Sequence, residues 1–499
     1  MIKQHTWRIL IDTMEEDHGG FAYICCVIYF VHMMKMSEIK YKWFGNAAFY
    51  RRMLKVALPL VISQMITSFV NMLDNIMVGR TGTLQMSGVS IANQINMVLV
   101  LALFGAVSAA AIFGAQYAGK EDWDGERICF RYRLIVAGIV SVITIAVCFI
   151  FGRQLIMLFL DSETNNASDI NETLQYGLNY LKIIAVGMIP FSISTAISSV
   201  ISETGETRLP MISSVAAVFV NLVFNYLLIF GKFGFPEMGC VGAAVATNIS
   251  RIVQLCLNLW FAYRKADQMP FFRHVLSDFR IPLDLAKTIT IKGLPLMVNE
   301  VLWSIGIAAV AQCYSTRGID AVAAYNIQNT ITNLFFVFNI AMGDCISIMV
   351  GQELGAGNQE NAVLTNTRLI VFTTVLSCGL GAALAVTAHV YPEFYNTSIE
   401  IKNTAASLLK VAGWTLWISA IYNAAYFTLR TGGKTIITFL FDSVGTIFVS
   451  FPAAFVLAHF TNIGIVGMFF VIRVIDLYKV ILGLYLVYKR VWVNDLVSD

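Results

Sequence analysis

LPLVISQMITSFVNMLDNIMVG, residues 58–79, and GLPLMVNEVLWSIG, residues 293–306, decide how the chain folds. Each contains Leu-Pro-Leu, and Pro59 and Pro295 stand 236 residues apart. The same offset pairs Ser68 with Ser304, Gly82 with Gly318, Asn93 with Asn329, Gln116 with Gln352 and Gly119 with Gly355. Leucines coincide by chance in apolar sequence. Matched Pro, Asn, Gln and Gly at one fixed offset do not. Arg-Leu-Ile-Val at 133–136 also returns at 368–371. The chain is an internal duplication.

Both copies lie in runs long and apolar enough to cross ~30 Å of hydrocarbon as helices. The spacing predicts twelve such spans, near 54–78, 90–117, 134–158, 178–201, 211–231, 241–263, 291–314, 322–351, 369–390, 405–429, 436–459 and 465–488. The 499 residues are 57% hydrophobic and 13% charged, against about 25% charged in soluble domains. Six spans separate the copies, so both halves share one orientation. The expected fold is an all-α membrane protein of 12 transmembrane helices in two pseudo-symmetric six-helix lobes. A parallel repeat of this kind is a transporter architecture, with its site between the halves. The expected division is a first lobe at 47–265, a linker at 266–290, a second lobe at 291–490 and a tail at 491–499. Residues 1–46 read as an appended or mis-started leader, with Met36 an alternative start and a thirteenth span the lesser alternative.

Basic residues orient the spans. Arg51, Arg52 and Lys55 precede the first, and Lys120, Arg127, Arg131 and Arg133 follow the second. Arg264, Lys265, Arg273, Arg280, Lys287 and Lys292 fill the linker, and Lys489 and Arg490 follow the twelfth. The loop after the third span is acidic instead (Asp161, Glu163, Asp169, Glu172). Both termini are expected in the cytoplasm.

Asp74 is the informative charge. A carboxylate at mid-bilayer costs ~3 kcal/mol on insertion scales, and no Lys or Arg lies within a turn of it. Its repeat partner is Val310, while Glu300 pairs with Gln64 and Asp344 with Ser108. The halves therefore differ in their acids. Asn221 and Asn225 share one face of the fifth span. A carboxylate facing two carboxamides can hold a proton, a sodium ion or a cationic ligand. The remaining polar residues read more simply. Asn93 and Asn329 suit helix–helix bonds. Asp442 and Asp476 suit structural roles, with Arg473 the partner for Asp476 and Arg251 similarly paired. Glu203, Glu206 and Arg208 end a span and read as solvated.

LPLVISQMITSFVNMLDNIMVG followed by SGVSIANQI resembles the first two helices of multidrug and toxic-compound extrusion (MATE) transporters. GLPLMVNEVLWSIG, AVAAYNIQNTITNLFFVFNIAMG and VGQELGAGNQENA resemble their helices 7 and 8, and LRTGGKT their loop after helix 10. The resemblance spans roughly residues 50–490. It implies two six-helix lobes forming a V, and export of amphipathic, often cationic compounds in exchange for protons or sodium. It implies a cation-coupling role for Asp74, Asn221 and Asn225, with Asn225 standing where the family often has aspartate. A second-lobe cation or substrate site would draw on Glu300, Asn299, Asp344 and Asn423. Helix bending would centre on Pro59 and Pro295.

Other classes fit less well. No GxxxxGK[ST] motif marks ATP as the energy source, and no nucleophile motif, His cluster or metal spacing suggests an enzyme. No basic run suggests nucleic acid. The nine cysteines mostly sit in apolar runs and read as small buried hydrophobes. No cofactor is expected beyond the coupling ion, and the expected partners are amphipathic small molecules and the lipid bilayer, with a monomer as the working unit. The nearest rival is a lipid-linked oligosaccharide flippase on a related two-lobe plan, which needs several Arg or Lys to hold a pyrophosphate. Arg251 and Arg473 are its only visible support. A membrane sensor or assembly protein is a more distant alternative, since short loops leave no soluble module to signal through. The topology predicts that single cysteines near positions 165 and 397 react with an impermeant reagent outside intact cells, while one near 272 does not. Outside labelling at 272 would reverse the orientation.

Overall fold

The computed structural model describes residues 43–160, 167–275, 280–395 and 397–497. The leader through residue 42, loop residues Asp161 and Glu163, and labelling position 165 lie outside the described residues. Residues 51–499 form one compact unit. Its regular structure is helical throughout the described residues. The first half runs α1 (Ala47–Gly79), α2 (Thr83–Lys120), α3 (Trp123–Met157), α4 (Ala167–Val186), α5 (Met188–Glu203), α6 (Arg208–Phe230) and α7 (Gly239–Arg264). The second runs α8 (Leu283–Ser315), α9 (Ile319–Gly355), α10 (Gln359–Val386), α11 (Ile399–Thr431), α12 (Thr435–Phe439), α13 (Phe451–Phe460), α14 (Ile465–Ile475) and α15 (Leu477–Tyr488). Among the described residues ten helices are long and apolar enough to cross a membrane, and the bent pair α4/α5 makes an eleventh. The twelfth place belongs to α14 and α15, which carry Arg473, Asp476 and Lys479 near their junction.

The repeat is visible in the backbone. α1 and α8 each hold a proline inside, Pro59 and Pro295. α2 and α9 each start from a glycine with positive φ, 130° at Gly82 and 100° at Gly318. A Cβ at either would meet nothing within 4 Å. Backbone conformation, not crowding, therefore requires glycine at both.

α2 and α9 also carry the contact between the lobes, and it is reciprocal. A Cβ on Gly119 would fall 2.0 Å from the Gln352 carbonyl oxygen, and one on Gly355 would fall 1.8 Å from that of Gln116. Gln116 Nε2 donates to Thr431 O, the last residue of α11, at 3.3 Å. Gln352 Nε2 donates to Glu203 O, the last residue of α5, at 2.7 Å. Further along, Gly105 of α2 sits against the Met297 backbone of α8. Small residues let these backbones close up where apolar side chains gain nothing over lipid. The tail enters the same seam: Leu496 N donates to Gln116 Oε1 at 2.7 Å, and Lys120 Nζ to Val497 O at 2.9 Å. On α3, Ile139, Val142, Ile143, Phe149 and Ile150 are exposed, as lipid-facing side chains should be.

Three spans depart from straight helices. The fourth, expected as one helix over 178–201, bends by 43° between α4 and α5. Pro190 has no N–H to give the preceding turn, and Gly187 leaves room for α7, since a Cβ there would strike Asn248. Asn248 Nδ2 and Arg251 Nη1 donate to the Ile183 and Ile184 carbonyls at 2.6 and 3.1 Å. Arg251 thus completes a broken helix and stacks over Phe191. Its partner is backbone, not an acid.

The eleventh span, expected as a plain helix over 436–459, widens into π-helical turns at Leu440–Val444 and Thr446–Ser450 before Pro452 in α13. A proline within a span removes a helical donor, and wider turns absorb the mismatch. The twelfth breaks at Asp476. Asp476 accepts from Ser450 Oγ at 3.0 Å, while Arg473 lies over Phe469. Arg473 and Asp476, the expected pair, stay close enough to interact electrostatically, but the ion pair here is formed by Lys479, whose ammonium reaches Asp442 Oδ1 at 3.4 Å and Thr446 Oγ1 at 2.8 Å. Both partners of this pair are buried. Asp442→Asn alone strands a buried ammonium and should cost about 3–5 kcal/mol, while adding Lys479→Met should recover most of it. Unfolding of purified protein in detergent measures both, and additive losses would show that the two charges do not depend on each other.

Candidate functional site

Asp74 sits on α1, half-buried, and faces α6. Asn225 Nδ2 donates to Asp74 Oδ1 at 2.5 Å. The Asn221 amide satisfies its neighbours when its nitrogen faces the carboxylate. Nδ2 then lies 3.1 and 3.0 Å from the two Asp74 oxygens, and Thr247 Oγ1 of α7 donates to the amide oxygen at 3.3 Å. The i, i+4 spacing of the asparagines puts both on one face of α6. The carboxylate therefore meets neutral amides. Asn225 Oδ1 is buried without a hydrogen-bond partner, so an acceptor beside Asp74 stays available to a cation. Asn71 and Asn75 are exposed and stay outside this cluster. Asn93 accepts from Tyr180 of α4 at 3.2 Å.

Pro59 is tied to the same lobe. Its missing N–H leaves the Lys55 carbonyl without its helical donor. Thr207, at the start of α6, supplies a hydroxyl 3.3 Å from Lys55 O and 2.9 Å from Val56 O. α1 is thus held to α6 at two places, by Thr207 below the proline and by the amide pair at Asp74.

The second lobe holds a larger network. Glu300 Oε1 accepts from Tyr426 Oη of α11 at 2.8 Å, and Arg430 Nη1 lies 4.0 Å away. Asn299 Nδ2 donates to Asp442 Oδ2 at 3.2 Å, and Asn299 Oδ1 accepts from Ser443 Oγ at 2.6 Å. Through Asp442 the chain of contacts reaches Lys479. The structure so brings Glu300 and Asn299 together, and Arg430 also faces Asp344 on α9. Asn423 stands apart, its Oδ1 buried and unpartnered. Pro295 is one turn before Asn299, inside α8.

Several residues of this network escape sequence reading. Asp442, expected to be structural, is a link between the Glu300 side and Lys479. Lys479 is three residues past Asp476, a helical spacing that could have flagged it. Arg430 belongs to LRTGGKT, which reads as a loop, yet it is the penultimate residue of α11 and stacks on Phe104 of the first lobe. Glu203, expected to be solvated, is buried and pairs with Arg133 Nη2 at 2.6 Å. Arg133, which its sequence position groups with the basic residues after the second span, is fully buried on α3.

Comparison with known proteins follows the same two halves. The chain is 26% identical over 423 residues to the probable multidrug resistance protein NorM of Thermotoga maritima, covering 84% of this chain and 87% of the relative. It is 24% identical over 425 residues to the probable multidrug resistance protein YoeA of Bacillus subtilis, covering 84% and 89%. Among solved structures it resembles an outward-facing multidrug resistance MATE family transporter of the MOP superfamily (TM-score 0.79, 19% identity, 88% of this chain and 95% of that one). It matches a MATE in the bent conformation with a TM-score of 0.78 at 19% identity, over 89% and 95%. These structural likenesses establish the fold. The MatE family profile matches residues 59–227 and 295–456, one stretch in each half beginning at the paired prolines. The chain belongs to the MatE family of membrane transporters.

Proposed function

We propose that the protein is a secondary antiporter. It exports amphipathic, often cationic compounds and takes a proton or sodium ion in exchange. The observation that carries this reading is Asp74: an acid inside a span whose partners are two neutral amides. Amides can solvate the carboxylate, its protonated form or its complex with a cation without adding charge. Such a group can gain and lose one positive charge per cycle. The curated relatives named as multidrug resistance proteins supply the cargo class.

The energetics close. One charge moving through 100 mV yields ~2.3 kcal/mol, and a tenfold uphill gradient of a neutral compound costs ~1.4 kcal/mol. If the compound is itself a monovalent cation, one-for-one exchange moves no net charge, and the ion gradient alone drives it. The flippase alternative needs cations free to grip a pyrophosphate. Here Lys479 faces Asp442, Arg430 faces Glu300, Arg133 faces Glu203, and Arg251 serves backbone carbonyls. Arg430 also stacks on Phe104 and Arg473 lies over Phe469; each of these charges has a partner, which favours export of drug-like compounds.

Ethidium efflux from vesicles, with proton and sodium gradients imposed separately, identifies the coupling ion. Asp74→Asn keeps the shape and hydrogen bonding of the acid but cannot cycle a charge. It should insert normally and lose gradient-driven efflux. Ethidium affinity should fall by less than about tenfold, ~1.4 kcal/mol, because the apolar wall remains. Wild-type efflux in this variant would remove Asp74 from the coupling step.

A further inference from the structure

Three ionisable side chains outside the exchange scheme meet where α3 begins and α5 ends. Glu126 and Arg133 lie on α3, and Glu203 closes α5. Glu126 and Arg133 are 0% exposed and Glu203 4%. They gather around Gly114 of α2. A Cβ there would fall 2.2 Å from Glu203 Oε2, 2.5 Å from Arg133 Nη2 and 3.0 Å from Glu126 Oε2. Any other residue at 114 would displace the cluster.

Partners are divided unequally among the three. Glu203 Oε1 accepts from Ser199 Oγ at 2.8 Å and Oε2 from Arg133 Nη2 at 2.6 Å. Nη2 also donates to Ala110 O at 2.8 Å. Glu203 is thus a satisfied carboxylate, neutralised by Arg133. Glu126 has both oxygens buried with no N–H donor and faces the Glu203 carboxyl, while Arg133 Nε and Nη1 are equally buried and unpartnered. The other titratable groups near Glu126 are Asp122, whose carboxylate caps Gly125 N at 3.0 Å, and Cys129. Neither brings positive charge. Two acids against one guanidinium leave one negative charge uncompensated in a dry place, a far costlier arrangement than a neutral acid.

We propose that Glu126 is a second proton-binding site of the first lobe, separate from Asp74. With the proton bound, Glu126 is neutral and its oxygens need no charged partner. On release the Glu126 O–H bond breaks and the proton passes to water at this end of the lobe. The carboxylate left behind then takes the unused Arg133 N–H groups as donors. The site also touches the lobe contact, because the backbone carbonyl of Glu203 is the one gripped by Gln352 of α9. Occupancy of the proton site and closure of the α2–α9 seam share this residue. The link to transport rests on the exchange reading above, but the site itself does not.

Infrared spectroscopy of the full chain in detergent, over a pH series, tests the site directly. Wild type should show a protonated-carboxyl carbonyl band that is absent in Glu126→Gln and retained in Asp74→Asn. Glu126→Gln matches the neutral acid in size and charge and should fold. If its yield is too low for spectra, Glu126→Asp serves, and the same band should be displaced. Spectra of either variant that match wild type in this region would overturn the proposal. Efflux in vesicles separates the two readings. No proton or sodium dependence of efflux in wild type, with the Glu126 band present, removes the exchange scheme and leaves the site. Ion-driven efflux with no Glu126 band does the reverse.

Discussion

Inside hydrocarbon there is no water to complete a broken helix, so each backbone group set free must find a partner within the protein. This constraint explains side chains that otherwise look like loose polar residues. Thr207 exists where Pro59 frees a carbonyl of α1. Asn248 and Arg251 serve the bend between α4 and α5. In the eleventh span, the Asp442 carbonyl accepts from Thr446 Oγ1 at 2.8 Å within the widened turns, and Lys479 approaches it from α15. Each break is also a place where the chain can flex while its polar groups stay satisfied. Asp442 is itself in a π turn, and Asp74 shares α1 with the Pro59 break, several turns further along the helix.

The two halves use a shared scaffold for different electrostatics. In the first, the acid Asp74 meets amides and no formal positive charge. In the second, Glu300 and Asp442 each have a cation at hand, Arg430 and Lys479. An acid with a fixed counter-ion has less call for a mobile one, and removing either member strands the other. An acid held by amides is free to take a cation from solution and give it up. The difference follows from substitutions at single positions in otherwise matching helices.

Much of this was legible in the sequence because repeats and apolar runs are statements about the backbone. Spacing of Pro59 and Pro295 located the duplicated helices, and Gly82 and Gly318 recur because both helices enter through the same positive-φ residue. The pairing of Asp74 with Asn221 and Asn225 followed from an isolated acid and an i, i+4 pair. What stayed hidden depends on which helices touch. Glu203 and Arg133 lie at the ends of apolar runs, where charges are normally wet. The packing of α3 and α5 against α2 at Gly114 buries them. Lys479 escapes notice in the sequence because its partner Asp442 is 37 residues away. The bends could be suspected from Gly187, Pro190 and Pro452, but a proline in a span does not say whether the helix kinks, widens or is completed by a neighbour.

The reciprocal contact of Gly119 with Gln352 and Gly355 with Gln116 has the form of an isologous interface. The same patch on each half meets its own counterpart, and residue i touches j as j touches i. That is the contact two identical half-length chains would make about a two-fold axis. The two-fold relation is local to these residues, since α2 packs along α8 without an equal packing of α9 along α1. The two glutamines differ in what else they hold: Gln116 Oε1 accepts from the tail at Leu496 N, while Gln352 Oε1 accepts from Arg52 Nη2 of α1 at 3.2 Å. In one continuous chain each of these positions can be altered alone, whereas in a pair of identical chains every change at the axis would appear on both sides.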